Sequence, residues 1–451
     1  MTRALRNLKT GMWRASAAVG VALIGASATL GAQQANSSAA AAGMNGNYVA
    51  MGQGQDAVAW NPAMLGISHN PHFSLNLVTP GGGAGLAPVS WNDFAQYAKT
   101  NDSIPASVRR SWLASVTSKG GETGSENGSM NWLGLSVGHL ALTVSTTETM
   151  QTTLNPDMFQ ALMFGNAGYT GSLQNLAFSG SSMHMGAFST AAASYGFSLG
   201  NSKGFLGLPA GESSIGLTVK YVMGNFLLIG QDAGSTIDAN NVNVNFPIVM
   251  TNTNDSIGGV AGSSSAVTKG GKGIGADIGY AWRGDRMTAS FVIQNLFNSF
   301  SWDVTQLESR PGTAMFNTST NGSDFDAAAF GAAPAALQQA VKNYVFKPAI
   351  MMGVAYKVNH VTTVTGDFHQ QFGDDNSILI GPKTQIGGGV EFRGLSFLPL
   401  RAGVSYVTGG YSASAGLGIA LGPVELGVAG RLGHSNGGNE NGFMVSLISI
   451  K

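Results

Sequence analysis

Four groups of residues have the types and spacing that chemistry needs. GLSVG at 134–138 matches the G-x-S-x-G nucleophile pattern around Ser136, and His139 follows three positions on. That chemistry requires a sharp strand-to-helix elbow that lifts the hydroxyl clear of a sheet. Here the run continues into HLALTVST, where Leu140, Leu142 and Val144 alternate with Ala141 and Thr143, so a second strand follows instead of a helix. Ser136 is therefore read as a strand serine, and the chain as no enzyme. His69 and His72 flank Pro71 at a spacing a metal accepts, but seven histidines in all and no H-E-x-x-H favour a loop entering a strand. GKGIGA at 271–276 fits a relaxed dinucleotide pattern, yet it precedes a strand and opens no helix. Finally, Lys220, Asp277, Arg283, Lys347, Lys357, Glu391, Arg393, Arg401, Glu425 and Arg431 fall on one face of alternating stretches. Their mixed signs read as an interior network and not as the lining of an ionic pore. No cofactor or metal is expected.

Composition says which elements must hold these residues. The 451-residue chain is 10% charged and 43% apolar, with 65 glycines, no cysteine and a net charge of zero. Ordinary soluble domains carry about 25% charged residues. Low charge with positive mean hydropathy excludes a disordered chain. A neutral balance removes the electrostatic case for nucleic acid. Absent cysteines exclude disulfides, thiolate metal sites and a cysteine nucleophile. No long apolar run after the N-terminus suits a membrane helix.

At the N-terminus, Arg3, Arg6, Lys9 and Arg14 precede the small-residue apolar stretch ASAAVGVALIGASATLGA. This order of charge, apolar stretch and cleavage site predicts a secretory signal peptide over 1–32, cut after Ala32, with Ala28 the alternative. Its removal takes four of the 23 basic residues and leaves 19 against 23 acidic ones. Export of this kind points to the outer membrane of a bacterium.

The body alternates in polarity with period two, as strands between lipid and lumen must. Ile215, Leu217, Val219, Tyr221 and Met223 share a face, as do Ile350, Met352, Val354 and Tyr356. Candidate strands lie near 72–79, 130–138, 139–146, 186–199, 213–224, 241–250, 272–283, 286–296, 344–357, 361–370, 383–392, 400–408, 411–421, 422–432 and 441–449. Single-chain bacterial barrels have even strand numbers. The expectation is an all-β, transmembrane antiparallel β-barrel of about 14 strands, with 72–79 or 241–250 the piece to drop. Trp132, Tyr221, Trp282, Phe300, Trp302, Tyr344, Tyr356 and Tyr406 are read as interfacial girdles. Short helical insertions are expected at 90–117, with Ser90 and Ser103 as N-caps, at 155–164 from the Asn155-Pro156 start, and at 324–342. Packing on the barrel wall is favoured for them over service as lids.

Ahead of the first strand, GMNGNYVAMGQGQDAVAWNPAMLG at 43–66 holds Tyr48, Val49, Met51, Val58, Trp60, Met64 and Leu65, which need burial. Pro62 fixes the chain direction, and Asn61 can cap the following turn through its side-chain oxygen. Residues 33–70 are thus expected to fold into the barrel of 71–451 as a plug or hatch, with Trp60, Asn61, Pro62 and Ala63 as its gate and ligand contact.

The run DAVAWNPAMLG, with KGIGADIGYAWR, FVIQNLFNSFSWD and FKPAIMMGVAYKV further on, resembles the FadL/TodX outer-membrane transporters of hydrophobic compounds and the related PorV-like barrels. The resemblance implies a 14-stranded barrel with an N-terminal hatch at Asn61, Pro62 and Ala63. It also implies passive uptake of fatty acids or aromatic hydrocarbons. Lipid of the outer membrane and a hydrophobic small molecule would then be the partners. In the PorV-like alternative the barrel is a platform that holds a secreted protein in type IX secretion. An apolar pocket between hatch and lids favours uptake; a pocket-free lumen with a groove at its rim favours the platform.

Overall fold

The computed structural model describes residues 38–98, 103–202, 209–252, 270–317, 321–374, 376–435 and 438–450. The expected signal peptide at 1–32 lies outside the described residues. Fourteen strands form one wall: β1 Phe73–Ala87, β2 Glu122–Val137, β3 Leu140–Leu154, β4 Ser182–Ser202, β5 Gly211–Gln231, β6 Gly271–Arg283, β7 Met287–Asn298, β8 Ala349–Lys357, β9 Thr362–Gln371, β10 Thr384–Phe392, β11 Leu400–Val407, β12 Gly410–Leu421, β13 Val424–Ser435 and β14 Gly438–Ile450. Each pairs antiparallel with its neighbour in sequence. The last pairs with the first, from Leu75↔Ile450 to Leu86↔Asn439. Closure leaves no strand edge, which is the condition for a sheet to lie in hydrocarbon.

Alternation sorts the side chains as the sequence predicts. Along β11, Leu400, Ala402, Val404 and Tyr406 are exposed while Arg401, Gly403, Ser405 and Val407 are buried. Ile215, Leu217, Val219 and Tyr221 on β5 and Met352, Val354 and Tyr356 on β8 also face outward. The exposed face belongs to a hydrocarbon layer, since no soluble surface would carry this many large apolar side chains. Strands β1–β5 are 15 to 21 residues long and β8–β11 only 8 to 10, so one side of the wall rises well past the apolar band. The turns at 138–139, 284–286, 358–361 and 422–423 close one end; the long connections lie at the other, together with the two-residue 408–409 turn.

Residues 241–250 do not cross. Pro247 has no N–H for a ladder, and the stretch divides into Val242–Asn245 and Ile248–Thr251. The first piece joins a five-stranded sheet at the long-loop end; the second pairs antiparallel with the end of β5.

The insertions form helices α1 Ala39–Gly43, α2 Trp91–Ala98, α3 Ala106–Lys119, α4 Pro156–Phe164 and α5 Ala335–Asn343. Asn155 caps α4, its side chain accepting from Met158 N–H at 2.8 Å, with Pro156 in the first position. Ser90 and Asp93 form a reciprocal cap on α2: Ser90 N–H and Oγ–H donate to the Asp93 carboxylate at 2.8 and 2.6 Å, and Asp93 N–H donates to Ser90 Oγ at 3.3 Å. Ser103 is no cap. α3 starts three residues later, behind Pro105, which holds that place without a side-chain bond. Val89, Trp112, Leu113, Val116 and Phe159 bury α2, α3 and α4 against one another at the long-loop end.

Beneath these helices lies Glu122, at the tip of β2 and far beyond the apolar band. It is 3% exposed, and both its carboxylate oxygens accept from Val89 N–H at 3.2 Å. Burial raises its pKa to about 8, opposed by the Val89 N–H and assisted by the Asp93 charge. A carboxyl whose folded value lies above its unfolded one stabilises most below the unfolded value and loses that contribution as pH rises. The helical cap should therefore be tightest below about pH 4.5 and loosen progressively up to about pH 8. Amide hydrogen exchange of α2 and α3 across this range will show it, and Glu122→Gln should flatten the dependence.

Candidate functional site

Ser38–Ile67 threads the lumen, and almost every residue of it is buried. α1, capped by Ser38, packs on β11–β14. A short 3-10 turn, Gly54–Val58, lies against β1–β4, and a second, Pro62–Gly66, against β4–β6. Asn61 is extended and its Oδ1 accepts from Ala63 N–H at 2.9 Å, so the cap read from the Asn-Pro pair is present.

An irregular segment leaves backbone groups unpaired, and burial makes each one costly. The wall supplies the partners. Ser214 Oγ donates to Ala63 O at 2.6 Å, Gln294 Nε2 to Ala59 O at 2.8 Å, and Ser290 Oγ to Val49 O at 3.0 Å. Asp367 Oδ2 accepts from Val49 N–H at 2.8 Å, and Gln385 Nε2 donates to Asn45 O at 2.8 Å. In the other direction, Asn61 Nδ2 donates to Ser290 Oγ at 2.5 Å, Tyr280 O at 3.0 Å and Phe291 O at 3.2 Å. Contacts this short need a wall without side chains at the crossing points. A Cβ on Gly216 would overlap the Pro62 carbonyl carbon, one on Gly279 the Asn61 Oδ1, one on Gly196 the Gly66 nitrogen, and one on Gly403 the Met44 carbonyl.

Six of the ten charged residues expected on the inner face form two paired groups. Arg401 meets Glu391 at 2.8 Å and Glu425 at 2.7 Å, and Arg393 meets Glu391 at 2.9 Å. This group sits near the short-turn end, where Arg401 Cβ approaches Gly43 of α1. Lys220 pairs with Asp277 at 2.7 Å and also donates to Asn295 Oδ1 at 2.7 Å. Asn295 has φ +50°, and its N–H donates to Asp277 where the β6–β7 register shifts. Lys357 stays exposed, Arg283 and Lys347 are half-buried, and Arg431 is buried.

Above the plug, toward the long loops, the lumen is apolar. Phe188, Val222, Leu227, Phe300, Trp302, Leu337, Val341 and Tyr344 share one cluster. Phe300, Trp302 and Tyr344, expected in the girdle, are thus inside, and Trp302 Nε1 donates to Tyr344 O at 2.8 Å. Trp282 is buried as well. Tyr221, Tyr356, Tyr406 and Trp132 do face outward. The reason is that Phe300, Trp302 and Tyr344 follow the end of β7 or precede β8, where the chain folds back across the mouth. α5 packs on the inner wall there and roofs the plug.

Trp60 lies between these layers, fully buried, with Tyr48 edge-on at 6.1 Å and His369 at 5.9 Å. Beside it is a cavity of about 20 Å³, bounded by Trp60 and Gly46 of the plug, by β8–β10, and by Ile380, Gly381 and Pro382 of the β9–β10 loop. His369 and Asn295 escaped the sequence reading: an isolated polar residue on an alternating strand carries no pattern of its own. The other motifs are structural. Ser136 Oγ lies 2.7 Å from Ser74 Oγ on the inner wall, while His139 Nδ1 lies 3.0 Å from Gly196 O. GKGIGA runs straight through β6. His69 contacts Ser68 Oγ at 3.2 Å, and among the described residues no three metal-ligating side chains are grouped.

Overpacking of a filled interior costs roughly 1–3 kcal/mol. Gly216→Ala and Gly279→Ala should each lower the unfolding midpoint and open the 38–66 segment to protease, leaving strand content unchanged by circular dichroism. A Gly366→Ala control, whose Cβ meets nothing closer than 3.8 Å, should change neither.

No family model matches the chain, and no curated protein matches it. Among solved structures it is similar to the toluene transporter TodX of P. putida, at 12% identity and a TM-score of 0.48, over 93% of this chain and 99% of that one. It is also similar to the toluene transporter TbuX of Ralstonia pickettii, at 12% identity and a TM-score of 0.47, over 92% and 98% of the two chains. A FadL homologue of Pseudomonas aeruginosa aligns at 10% identity and a TM-score of 0.45, over 94% and 99%. Fourteen strands closed around a buried N-terminal segment are what the FadL/TodX resemblance implies.

Proposed function

We propose that the protein is an outer-membrane barrel for passive uptake of hydrophobic compounds, with residues 33–70 as its hatch and Trp60, Asn61, Pro62 and Ala63 as the gate. The observation that carries this reading is the order of layers inside the wall. An apolar roof around Trp302 and Tyr344, a small cavity at Trp60 and a hydrogen-bonded plug follow one another along the lumen. An aqueous pore has no use for such a roof. For an apolar solute it is a solvent, because burial contributes about 25 cal/mol per Å² of apolar surface. The toluene transporters it is similar to are consistent with this class of solute, and the fatty acids and aromatic hydrocarbons of the resemblance are its candidate members.

Passage requires the 60–63 turn to leave β5 and β6. The chain has no cysteine, so Ala63→Cys with Ser214→Cys makes a single reversible tether at a place where the two residues already share a hydrogen bond. Uptake of a hydrophobic probe by proteoliposomes should fall at least tenfold on oxidation and recover with reductant. Equal uptake in both states sinks the gate. Absent uptake in both, with a secreted protein co-purifying, replaces transport with the platform.

A further inference from the structure

Three polar side chains meet on the inner wall, two residues along β6 from Gly279, where Asn61 crosses. Lys220 of β5 places its Nζ 2.7 Å from Asp277 Oδ1 of β6 and 2.7 Å from Asn295 Oδ1 of β7. Asp277 Oδ1 also accepts from Asn295 N–H at 2.7 Å. The Lys220 and Asp277 side chains are only 16% and 3% exposed. Because β6 lies between β5 and β7, Lys220 reaches Asn295 across it. It does so over Gly275, where an added Cβ would meet Lys220 Cε at 3.3 Å and Asn295 Oδ1 at 3.7 Å. On the other side the ladder runs from Ala276↔Phe297 to Ile278↔Ile293, so Asp277 alone faces residues 294–296 of β7. Asn295 has φ +50°, a backbone state that asparagine tolerates, and its Nδ2 donates to Lys347 O at 3.3 Å. A salt bridge between Lys220 and Asp277 requires neither this bulge nor a carboxamide.

We propose that this triad is an intramolecular isopeptide site, in which Lys220 Nζ becomes bonded to Asn295 Cγ with Asp277 as the proton carrier. An amine, a carboxamide and a carboxyl group in mutual contact are the components of transamidation. In a site this buried, one proton passes from the lysine ammonium to the Asp277 carboxylate, which replaces two charges by two neutral groups. The free amine is then a nucleophile. It moves from Oδ1 to the carbon that bears it, and the Nζ–Cγ bond forms. Asp277 relays the extra proton of the attacking nitrogen to Nδ2, the Cγ–Nδ2 bond breaks, and ammonia leaves. The products are one secondary amide, a neutral Asp277 carboxyl group and ammonia; nothing is oxidised or reduced and no co-reactant is used. Contact between the partners substitutes for an effective concentration of roughly 10⁵ M or more. The new amide ties β5 to β7 across β6. Those three strands carry the hydrogen bonds of Ala63 and Asn61, through Ser214, Tyr280 and Ser290.

The test is mass spectrometry of the full chain extracted from membranes in detergent. The intact mass should lie one ammonia below the value its sequence requires, and proteolysis should release a branched peptide that joins Lys220 to Asn295. Lys220→Arg, Asn295→Ala and Asp277→Asn should each regain one ammonia of mass and lack the branched peptide. Asp277→Asn is the sharpest of these, because both bonded residues remain while general acid–base catalysis worth about a hundredfold or more is lost. An Asp277→Asn chain that links as fully as the unaltered one overturns Asp277 as the proton carrier. Cyclisation at Asn45-Gly46, or at Gln33 as a new N-terminus, also expels ammonia. A mass deficit without the branched peptide is that cyclisation only and overturns the proposal, as does the full mass on the unaltered chain. Should a variant fail to assemble, the branched peptide still decides, since it is sought on the unaltered chain.

Discussion

The structure depends on how closely one backbone can approach another inside the barrel. The plug is not a helix bundle packing side chain on side chain. Its turns lie directly on the strands, and at Gly196, Gly216, Gly279 and Gly403 a single methyl group would occupy the place of a plug atom. This gives these wall glycines a physical cause. A wall of larger residues would hold the segment several ångströms away, beyond hydrogen-bond reach, and every unpaired backbone group of the plug would then be buried at a cost. Glycine provides the approach, and the serine, threonine, asparagine and glutamine between the glycines provide the partners. The low charge of the chain follows from the same arrangement, because both faces of the wall are occupied: one by lipid, the other by the plug and its roof.

Two groups of charges on the inner face are neutralised locally. Arg401, Arg393, Glu391 and Glu425 balance in sign, and Lys220 has Asp277. Buried ion pairs contribute little net stability against well-packed apolar residues, yet breaking one leaves a charge without compensation. Their value here is positional. The Arg401 group holds β10, β11 and β13 at the end where α1 rests, and Asp277 fills the irregularity between β6 and β7 by accepting the Asn295 N–H.

Much of this was legible in the sequence, and the legible part is what alternation reports. Period two identifies which side chains share a face, so the lipid face of β5 and β8 follows from it, whereas it yields 15 candidate stretches and the number 14 needs the even strand count of single-chain barrels as well. The Asn61-Pro62 cap was legible because its chemistry is local. Alternation does not report depth. Phe300, Trp302 and Tyr344 have the composition of an interfacial girdle, but their position beyond the ends of β7 and β8 lets the chain turn inward and put them in the roof. The 241–250 stretch has the apolar content of a crossing strand, and Pro247 divides it. His369 and Asn295 act through partners hundreds or tens of residues away, Trp60 for one and Lys220 for the other. No local pattern announces such contacts.

The hydrogen bonds of the Trp60–Ala63 turn are distributed unequally. Toward β5, β6 and β7 the turn holds Ser214, Ser290 and two strand carbonyls, through Ala63 O and the Asn61 amide. Toward β8 and β9, Trp60 offers an N–H that the wall does not take, next to a histidine nitrogen in the same condition. Separating the second contact therefore breaks fewer hydrogen bonds than separating the first.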